Sequence, residues 1–216
     1  MPWINKDTEI YCSFAKTAGN TGCQMMNTAF HYYGLNKIYK SFSVDNVERA
    51  IDAVKTLDIK GFAITMPYKK EVLKYVNALD DSAKIGAANT VINQNGFLKA
   101  YNTDYLAAVD FLRTFVNKGG LYILGKGGYS IAVQSAAKRL NIKYRIIDRS
   151  NWNLLKTIEK STIYNCTPVE NLDKVVRSNN YFIDCLVSTK TGKILATSQA
   201  SHQFKLYTGL DFPLKR

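Results

Sequence analysis

The sequence of 216 residues predicts an α/β protein with mainly parallel strands. Strand-like and helix-like hydrophobic patterns alternate from residue 9 onward, which is typical of βαβ units. A buried strand ends near Pro67, and a second α/β set begins close to residue 121 after a glycine pair. We therefore predict two domains, one formed by residues 1–101 with the C-terminal helix in 195–216 and one formed by residues 102–194.

The first domain opens with two βα units. Segments 9–15 and 37–43 have strand-like composition, and the helix between them is expected to end at Gly34. Its inward stripe is predicted to be Cys23, Met26, Phe30 and Tyr33. Asp45 and Glu48 form a capping box that predicts the start of the next helix. The inward positions of that helix are predicted to be Val47, Ala50, Ile51, Val54 and Leu57.

A third strand contains FAIT, residues 62–65, and ends where Pro67 removes a backbone donor. The chain should leave the sheet there, at the carboxyl end of the strand, which is the edge where open α/β sheets bind ligands. Residues 69–77 are predicted to form a short helix. A hairpin that turns at Asn95-Gly96 should follow.

A longer helix is predicted to begin at Thr103 and to end at Lys118-Gly119-Gly120. Its inward residues are predicted to be Tyr105, Ala108, Val109, Leu112, Phe115 and Val116. Four further strands are expected within the segments LYILGKGG, YRIIDRS, TIYNC and YFIDCLV. Helices are expected over 129–140, 151–159 and 195–208.

A glycine-rich loop lies between the first strand and the first complete helix of the second α/β set. It contains Gly125, Gly127 and Gly128, and the helix after it offers the amides of its first turn to a pyrophosphate. Asp148 comes 20 residues after Gly128, at the end of the next strand, where a carboxylate can accept both ribose hydroxyls. Glycines also make tight strand-to-helix turns, but the combination with the spaced acid predicts a dinucleotide site.

Two residues at the end of that strand bear on the cofactor. Asp148 would repel a 2′-phosphate and so favours NAD. Arg149 could instead attract a 2′-phosphate, stack on adenine, or face solvent. We therefore expect NAD or NADP, with a slight preference for NAD.

Polar residues suited to catalysis occur in three other segments. Lys69 follows the Pro67 turn, Asn89 lies in IGAANTV, and Asp104 lies at a predicted helix start. Taken singly, they have ordinary explanations as a surface lysine, a turn asparagine and a first-turn aspartate. Their occurrence together with a dinucleotide-binding domain favours an enzyme.

At these residues the sequence resembles the shikimate dehydrogenase family, and more closely its shikimate/quinate dehydrogenase-like branch. The pairing of T-x-P-x-K with A-N-T and N-T-D is specific to this family. Matches occur in family order and cover most of residues 5–170 and the last helix. They are GNTGCQMMNTAFHYYGLNKIYKSF, AITMPYKK, GAANTVINQNGFLKAYNTDY, LGKGGYSIA, NCTP and QASHQFKLYTG.

The resemblance implies an N-terminal α/β substrate domain plus a reduced Rossmann-type parallel-sheet domain. It implies reversible NAD(P)-dependent reduction of 3-dehydroshikimate to shikimate, or the analogous quinate reaction. Lys69, aimed into the cleft between the domains, and Asp104 would be the catalytic pair. The substrate would be a small anionic cyclic hydroxy acid, bound at its hydroxyls and carboxylate by Thr65, Asn89, Gln199 and Ser13.

Three features depart from the family pattern. The S-x-S carboxylate site reads Ser13-Phe14-Ala15, so Thr17 or Thr21 could supply the missing hydroxyl. The sequence VEN replaces the G-M pair that the family carries after NCTP, beside the nicotinamide. The segment between YFIDCLV and QASHQF is also far shorter than in the family. These departures motivate an alternative hypothesis, a non-catalytic ligand-binding or regulatory homologue that has lost hydride transfer.

Composition and charge argue against a nucleic-acid-binding protein, a metalloprotein and a membrane protein. The net charge is +12, but the lysines are spread along the chain, which favours a solvated surface or small-anion binding over nucleic acid. Four scattered cysteines and two histidines predict reduced, packed thiols and no metal site. No apolar run is long enough to span a membrane, and the first residues lack a secretory signal pattern. We expect a cytoplasmic monomer or homodimer that binds neither nucleic acid nor membrane.

Overall fold

A computed structural model describes residues 4–114 and 119–213. The chain divides into a first unit, Met1–Thr103 with Ala200–Arg216, and a second unit, Asp104–Gln199. The α/β fold class is confirmed by alternating strands and helices in both units. Phe115, Val116 and Lys118, which the sequence places on and after a helix, lie outside the described residues.

The first unit contains a six-stranded mixed sheet. Its strands are β1 Glu9–Ala15, β2 Lys37–Ser43, β3 Gly61–Ile64, β4 Ala78–Leu79, β5 Thr90–Gln94 and β6 Phe97–Tyr101. They are arranged in the order β2-β1-β3-β5-β6-β4. β1 is parallel to β2 and β3, whereas β5 is antiparallel to β3 and β6. The antiparallel pair β5–β6 is the predicted hairpin, and its turn residues Asn95 and Gly96 both have positive φ, at 53° and 87°.

Two apolar clusters cover the faces of this sheet. The helices of the unit are α1 Thr21–Tyr32, α2 Val47–Thr56 and the end of α5, Lys190–Thr208. Cys12 and Phe14 of β1 pack with the α2 residues Ile51 and Val54. Tyr11, their neighbour on the opposite face of the strand, packs instead in the cluster that includes residues of α1 and α5. The alternation along β1 thus distributes its side chains between two cores.

The predicted start of α2 is wrong by one residue. Asn46 is the N-cap, and its side-chain oxygen accepts the Arg49 amide at 2.9 Å. Asp45 forms an ion pair with Lys16 instead. Asp and Asn are equally good capping residues, so the local pattern alone does not choose between them. Leu57, predicted to face inward, lies just after the helix and is 64 % exposed.

Three further helix predictions need correction. Residues 69–77 contain only a 3-10 helix, Glu71–Lys74, and the Asn77 amide after it bonds to the Leu98 carbonyl at 2.8 Å. Residues 151–159 likewise contain the 3-10 helix Trp152–Thr157. The last helix begins at Lys190, five residues before the prediction, where Thr189 Oγ1 accepts the Gly192 amide at 3.0 Å.

The second unit is a parallel α/β unit. Its strands are β7 Leu121–Leu124, β8 Tyr144–Ile147, β9 Thr162–Asn165 and β10 Tyr181–Asp184. Its helices are α3 Thr103–Thr114, α4 Gly128–Arg139 and the start of α5. The first residue of α3, Thr103, belongs to the first unit. The strand order is β10-β9-β7-β8, with every pair parallel. The chain runs from β7 to β8 on one side and returns to β9 on the other. The carboxyl end of β7 is therefore a topological switch point, where such sheets bind ligands.

The capping arrangement at α2 predicts unequal effects of two neighbouring substitutions. Asn46→Ala should lower the free energy of unfolding by about 1 kcal/mol, since it removes the acceptor of the Arg49 amide. Asp45→Ala should lower it less, because the ion pair with Lys16 is exposed to solvent. Urea unfolding of both variants measures the difference. An equal or larger loss for Asp45→Ala would contradict the assigned cap.

Gly61 lies at a close contact between β3 and α5 in the first unit. A Cβ atom there would lie 2.8 Å from Cε1 of Tyr207 and 3.2 Å from Cδ1 of Tyr11. Gly61→Ala should therefore destabilise the protein by about 1–3 kcal/mol. At Gly19, by contrast, an added Cβ meets no heavy atom within 4 Å, so Gly19→Ala is the matched control. Equal thermal stability of the two variants would refute the close packing at Gly61.

Candidate functional site

Three of the sequence motifs meet around the dipeptide Ala88-Asn89 in the first unit. The Ala88 amide donates to the Lys69 carbonyl at 2.8 Å. The Asn89 side chain receives the Thr103 amide on Oδ1 at 2.7 Å and donates from Nδ2 to Thr103 Oγ1 at 2.9 Å. Asp104 follows Thr103 directly in the chain. One dipeptide thus anchors the backbone of Lys69 and the residue that precedes Asp104.

Asn89 and the residues around its partner Thr103 are buried and make several hydrogen bonds. Asn89 is 3 % exposed, and Asn102 and Thr103 are 0 % exposed. The Asn102 side chain donates to the Ala87 carbonyl at 2.7 Å, while its amide donates to Ser82 Oγ at 2.9 Å. Removing one partner would leave a buried polar group without its bond, which costs more than the bond contributes. The start of α3 is therefore held in a defined position.

Gln203 extends the same network and was not predicted from the sequence. It lies on α5, is 3 % exposed, and donates from Nε2 to Thr90 Oγ1 at 2.9 Å. Thr90 Oγ1 in turn donates to Asn89 Oδ1 at 3.1 Å. The available signal was the spacing of four residues from Gln199, the predicted substrate ligand, which is half-buried on the same helix.

The other predicted substrate ligands are Ser13, which is in β1, and Thr65, which follows the neighbouring parallel strand β3. Thr65 directly follows β3, is exposed, and donates its amide to the Phe14 carbonyl at 3.1 Å. Ser13 is in β1, and its Oγ donates to Ser41 Oγ on β2 at 3.0 Å. Ser41 therefore provides a second hydroxyl beside the incomplete S-x-S segment, a neighbour that only the strand pairing reveals.

The glycine loop of the second unit fits a pyrophosphate. Gly125 has φ 96°, and a Cβ atom there would lie 2.8 Å from Cγ2 of Thr167. At Gly127 an added Cβ would meet open space, so a ligand can approach this backbone closely. α4 starts at Gly128 and carries no acidic residue in its first turn. An open glycine before a helix N-terminus is the arrangement that binds phosphate groups.

The predicted ribose ligand Asp148 has donors from the protein on both carboxylate oxygens. Oδ1 accepts the Ser150 amide at 2.8 Å and the Ser150 hydroxyl at 2.6 Å, and Oδ2 pairs with the ammonium of Lys126. Lys126 first, and Ser150 next, hold the pKa of Asp148 well below its usual range. Arg149 is exposed. Lys126 was not among the predicted site residues, although it lies within the glycine loop.

The remaining expectations concern the cysteines, a metal site and a membrane span. Among the described residues, Cys12, Cys23, Cys166 and Cys185 form no disulfide, and burial raises the pKa of the Cys12 thiol. Within residues 4–114 and 119–213, no group of three or more His, Cys, Asp or Glu side chains could hold a metal ion. Over the same ranges, no helix combines the length and the apolar character needed to cross a membrane.

Comparison with known proteins gives consistent matches. Residues 21–91 match the shikimate dehydrogenase substrate binding domain. A shikimate dehydrogenase-like protein of Haemophilus influenzae is 40 % identical over 138 residues, covering 62 % of this chain and 51 % of the relative. The shikimate dehydrogenase (NADP(+)) of Methanosphaera stadtmanae is 31 % identical over 185 residues, covering 82 % of this chain and 63 % of the relative.

The match extends to a solved structure. The fold of a shikimate 5-dehydrogenase-like protein superposes with a TM-score of 0.84 at 29 % identity, covering 99 % of this chain and 96 % of that one. The chain spans about half to two thirds of the length of the two curated relatives described above, 51 % and 63 % respectively. In its motifs, its fold and these matches, the chain is similar to the shikimate dehydrogenase family.

Proposed function

We propose that this chain is an NAD(P)-dependent shikimate or quinate dehydrogenase. The observation that carries the proposal is the anchoring of Lys69 and Thr103 to Ala88-Asn89. It joins the three motifs that are specific to the family, T-x-P-x-K, A-N-T and N-T-D, through hydrogen bonds to one buried dipeptide. Curated relatives of this chain are named shikimate dehydrogenase (NADP(+)), which supports the same reaction.

The proposed chemistry assigns one role to each catalytic residue. A bound nicotinamide cofactor would supply the hydride that reduces the substrate carbonyl. Negative charge then develops on the carbonyl oxygen, and the Lys69 ammonium would stabilise it and donate a proton. Asp104 would orient the ammonium. Lysine suits this role because its pKa shifts readily with its surroundings, whereas arginine stays protonated.

The remaining polar residues would bind the substrate, a small anionic cyclic hydroxy acid. Thr65, Asn89 and Gln199 would contact its hydroxyls, and Ser13 its carboxylate. Asn89 has a second role in the proposal, since its bonds to Thr103 fix the start of the helix that carries Asp104. The cofactor would bind at the loop of Gly125, Gly127 and Gly128, with its adenosine ribose near Asp148 and Arg149.

The reaction itself is the first test. The purified protein should reduce NAD⁺ or NADP⁺ in the presence of shikimate or quinate, followed by the ultraviolet absorbance of the reduced nicotinamide. Lys69→Met keeps the side-chain length but removes the proton donor, so it should lower kcat by about 10²- to 10⁴-fold. Circular dichroism should show unchanged folding.

Lys70→Met is the matched control for this experiment. Lys70 is the exposed neighbour of Lys69 and has no proposed part in catalysis, so its loss changes net charge equally and should leave kcat near that of the wild type. Folded protein that binds shikimate without turning it over would support the non-catalytic hypothesis instead. Equal kcat for Lys69→Met and wild type would remove Lys69 from the mechanism.

A further inference from the structure

Lys126 lies in the glycine loop of the second unit, where its ammonium group pairs with the carboxylate of Asp148. Parallel pairing of β7 and β8 brings the ends of these strands together, and the Gly125 amide donates to the Ile147 carbonyl at 2.8 Å. Lys126 follows Gly125, and Asp148 follows Ile147. Their side chains form an ion pair, in which the lysine is 67 % exposed and the aspartate 16 % exposed. The ammonium group is thus held at the predicted cofactor edge while it remains open to solvent.

The ion pair changes what Asp148 can do. A carboxylate selects NAD when its oxygens accept the ribose hydroxyls and its charge repels a 2′-phosphate. Here Oδ1 already accepts two bonds from Ser150, and Oδ2 faces the Lys126 ammonium. The positive charge of Lys126 compensates the negative charge of Asp148. Both reasons for expecting NAD are therefore weakened by the tertiary structure.

The local charge favours a phosphate. Lys126 and the exposed Arg149 supply two positive charges against the single negative charge of Asp148, which leaves a net charge of +1 from these three side chains. A 2′-phosphate carries negative charge and several acceptor oxygens, whereas a 2′-hydroxyl is neutral. Charge-assisted bonds to phosphate are about twice as strong as neutral ones.

We propose that Lys126 is a specificity-determining residue that favours a cofactor bearing a 2′-phosphate, NADP, over NAD. The proposal rests on the dinucleotide site of the proposed function. It deepens that function by naming the cofactor class and the residue that selects it. Lys126 acts by compensating Asp148 and by presenting its own ammonium group to the phosphate.

Calorimetric titration of the full chain with NADP⁺ and with NAD⁺ tests this proposal. Wild type should bind NADP⁺ more tightly than NAD⁺. Lys126→Met should weaken NADP⁺ binding roughly tenfold, on the scale of one hydrogen bond to a charged group, and leave NAD⁺ within about threefold. Lys143→Met is the charge-matched control, because Lys143 is exposed at the opposite, amino end of β8. It should leave the ratio of the two dissociation constants unchanged.

A second variant tests whether the Asp148 carboxylate binds the ribose of the cofactor. Asp148→Asn should retain or strengthen NADP⁺ binding, because Lys126 loses its competing partner, and should leave NAD⁺ within about threefold. A large loss of NAD⁺ affinity would show that Asp148 holds the ribose after all and would overturn the proposal. So would a Lys126→Met variant whose affinity ratio equals that of wild type or of Lys143→Met.

The binding readout separates this inference from the proposed reaction. The fragments 2′,5′-ADP and 5′-AMP carry the same difference at the 2′ position without a nicotinamide, and they should show the same preference. Turnover with an unchanged affinity ratio would overturn only the role of Lys126. A preference that depends on Lys126, in a protein without turnover, would support the role while refuting the dehydrogenase. Folded wild type that binds neither nucleotide nor fragment would overturn both.

Discussion

The pair of hydrogen bonds between the Asn89 side chain and Thr103 is the interaction on which the rest of the candidate site depends. An amide side chain both donates and accepts, so Asn89, directly before β5, bonds to both the amide and the hydroxyl of Thr103 at the start of α3. Both groups are buried, where an unmet hydrogen bond is costly. The loop after β3, which carries Lys69, is attached to the preceding residue, Ala88. Residues distant in the chain are therefore positioned by one short segment.

The second unit shows how strand order creates a ligand site. Its four parallel strands place β8 and β9 on opposite sides of β7, and the glycine loop follows β7. Gly125 makes the turn that a larger residue would obstruct, and Gly127 leaves its backbone open. These features need only a few strands around the switch point. A compact parallel sheet can therefore retain the geometry required for phosphate binding.

The local arrangement of charges at the end of β8 is more informative than the net charge of the chain. The +12 charge of the chain predicts only a general attraction for anions. At the end of β8, by contrast, Lys126 meets Asp148 and leaves the adjacent Arg149 exposed. This local pairing, and not the total charge, bears on which cofactor the site would select.

The sequence by itself determined the α/β class, the hairpin at Asn95-Gly96 and the glycine loop, because these follow from hydrophobic period and from residues that tolerate positive φ. It also identified the segments of Lys69, Asn89 and Asp104 through spaced motifs. Tertiary structure alone decided that Asn46 caps α2, that Gln203 joins the Asn89 network, and that Lys126 pairs with Asp148. Each of these depends on which groups meet after folding. Asp45 and Asn46, for example, are equally suited to cap a helix, so the local sequence alone does not choose between them. Sequence patterns specify what a residue can bind, whereas packing determines which partner is within reach.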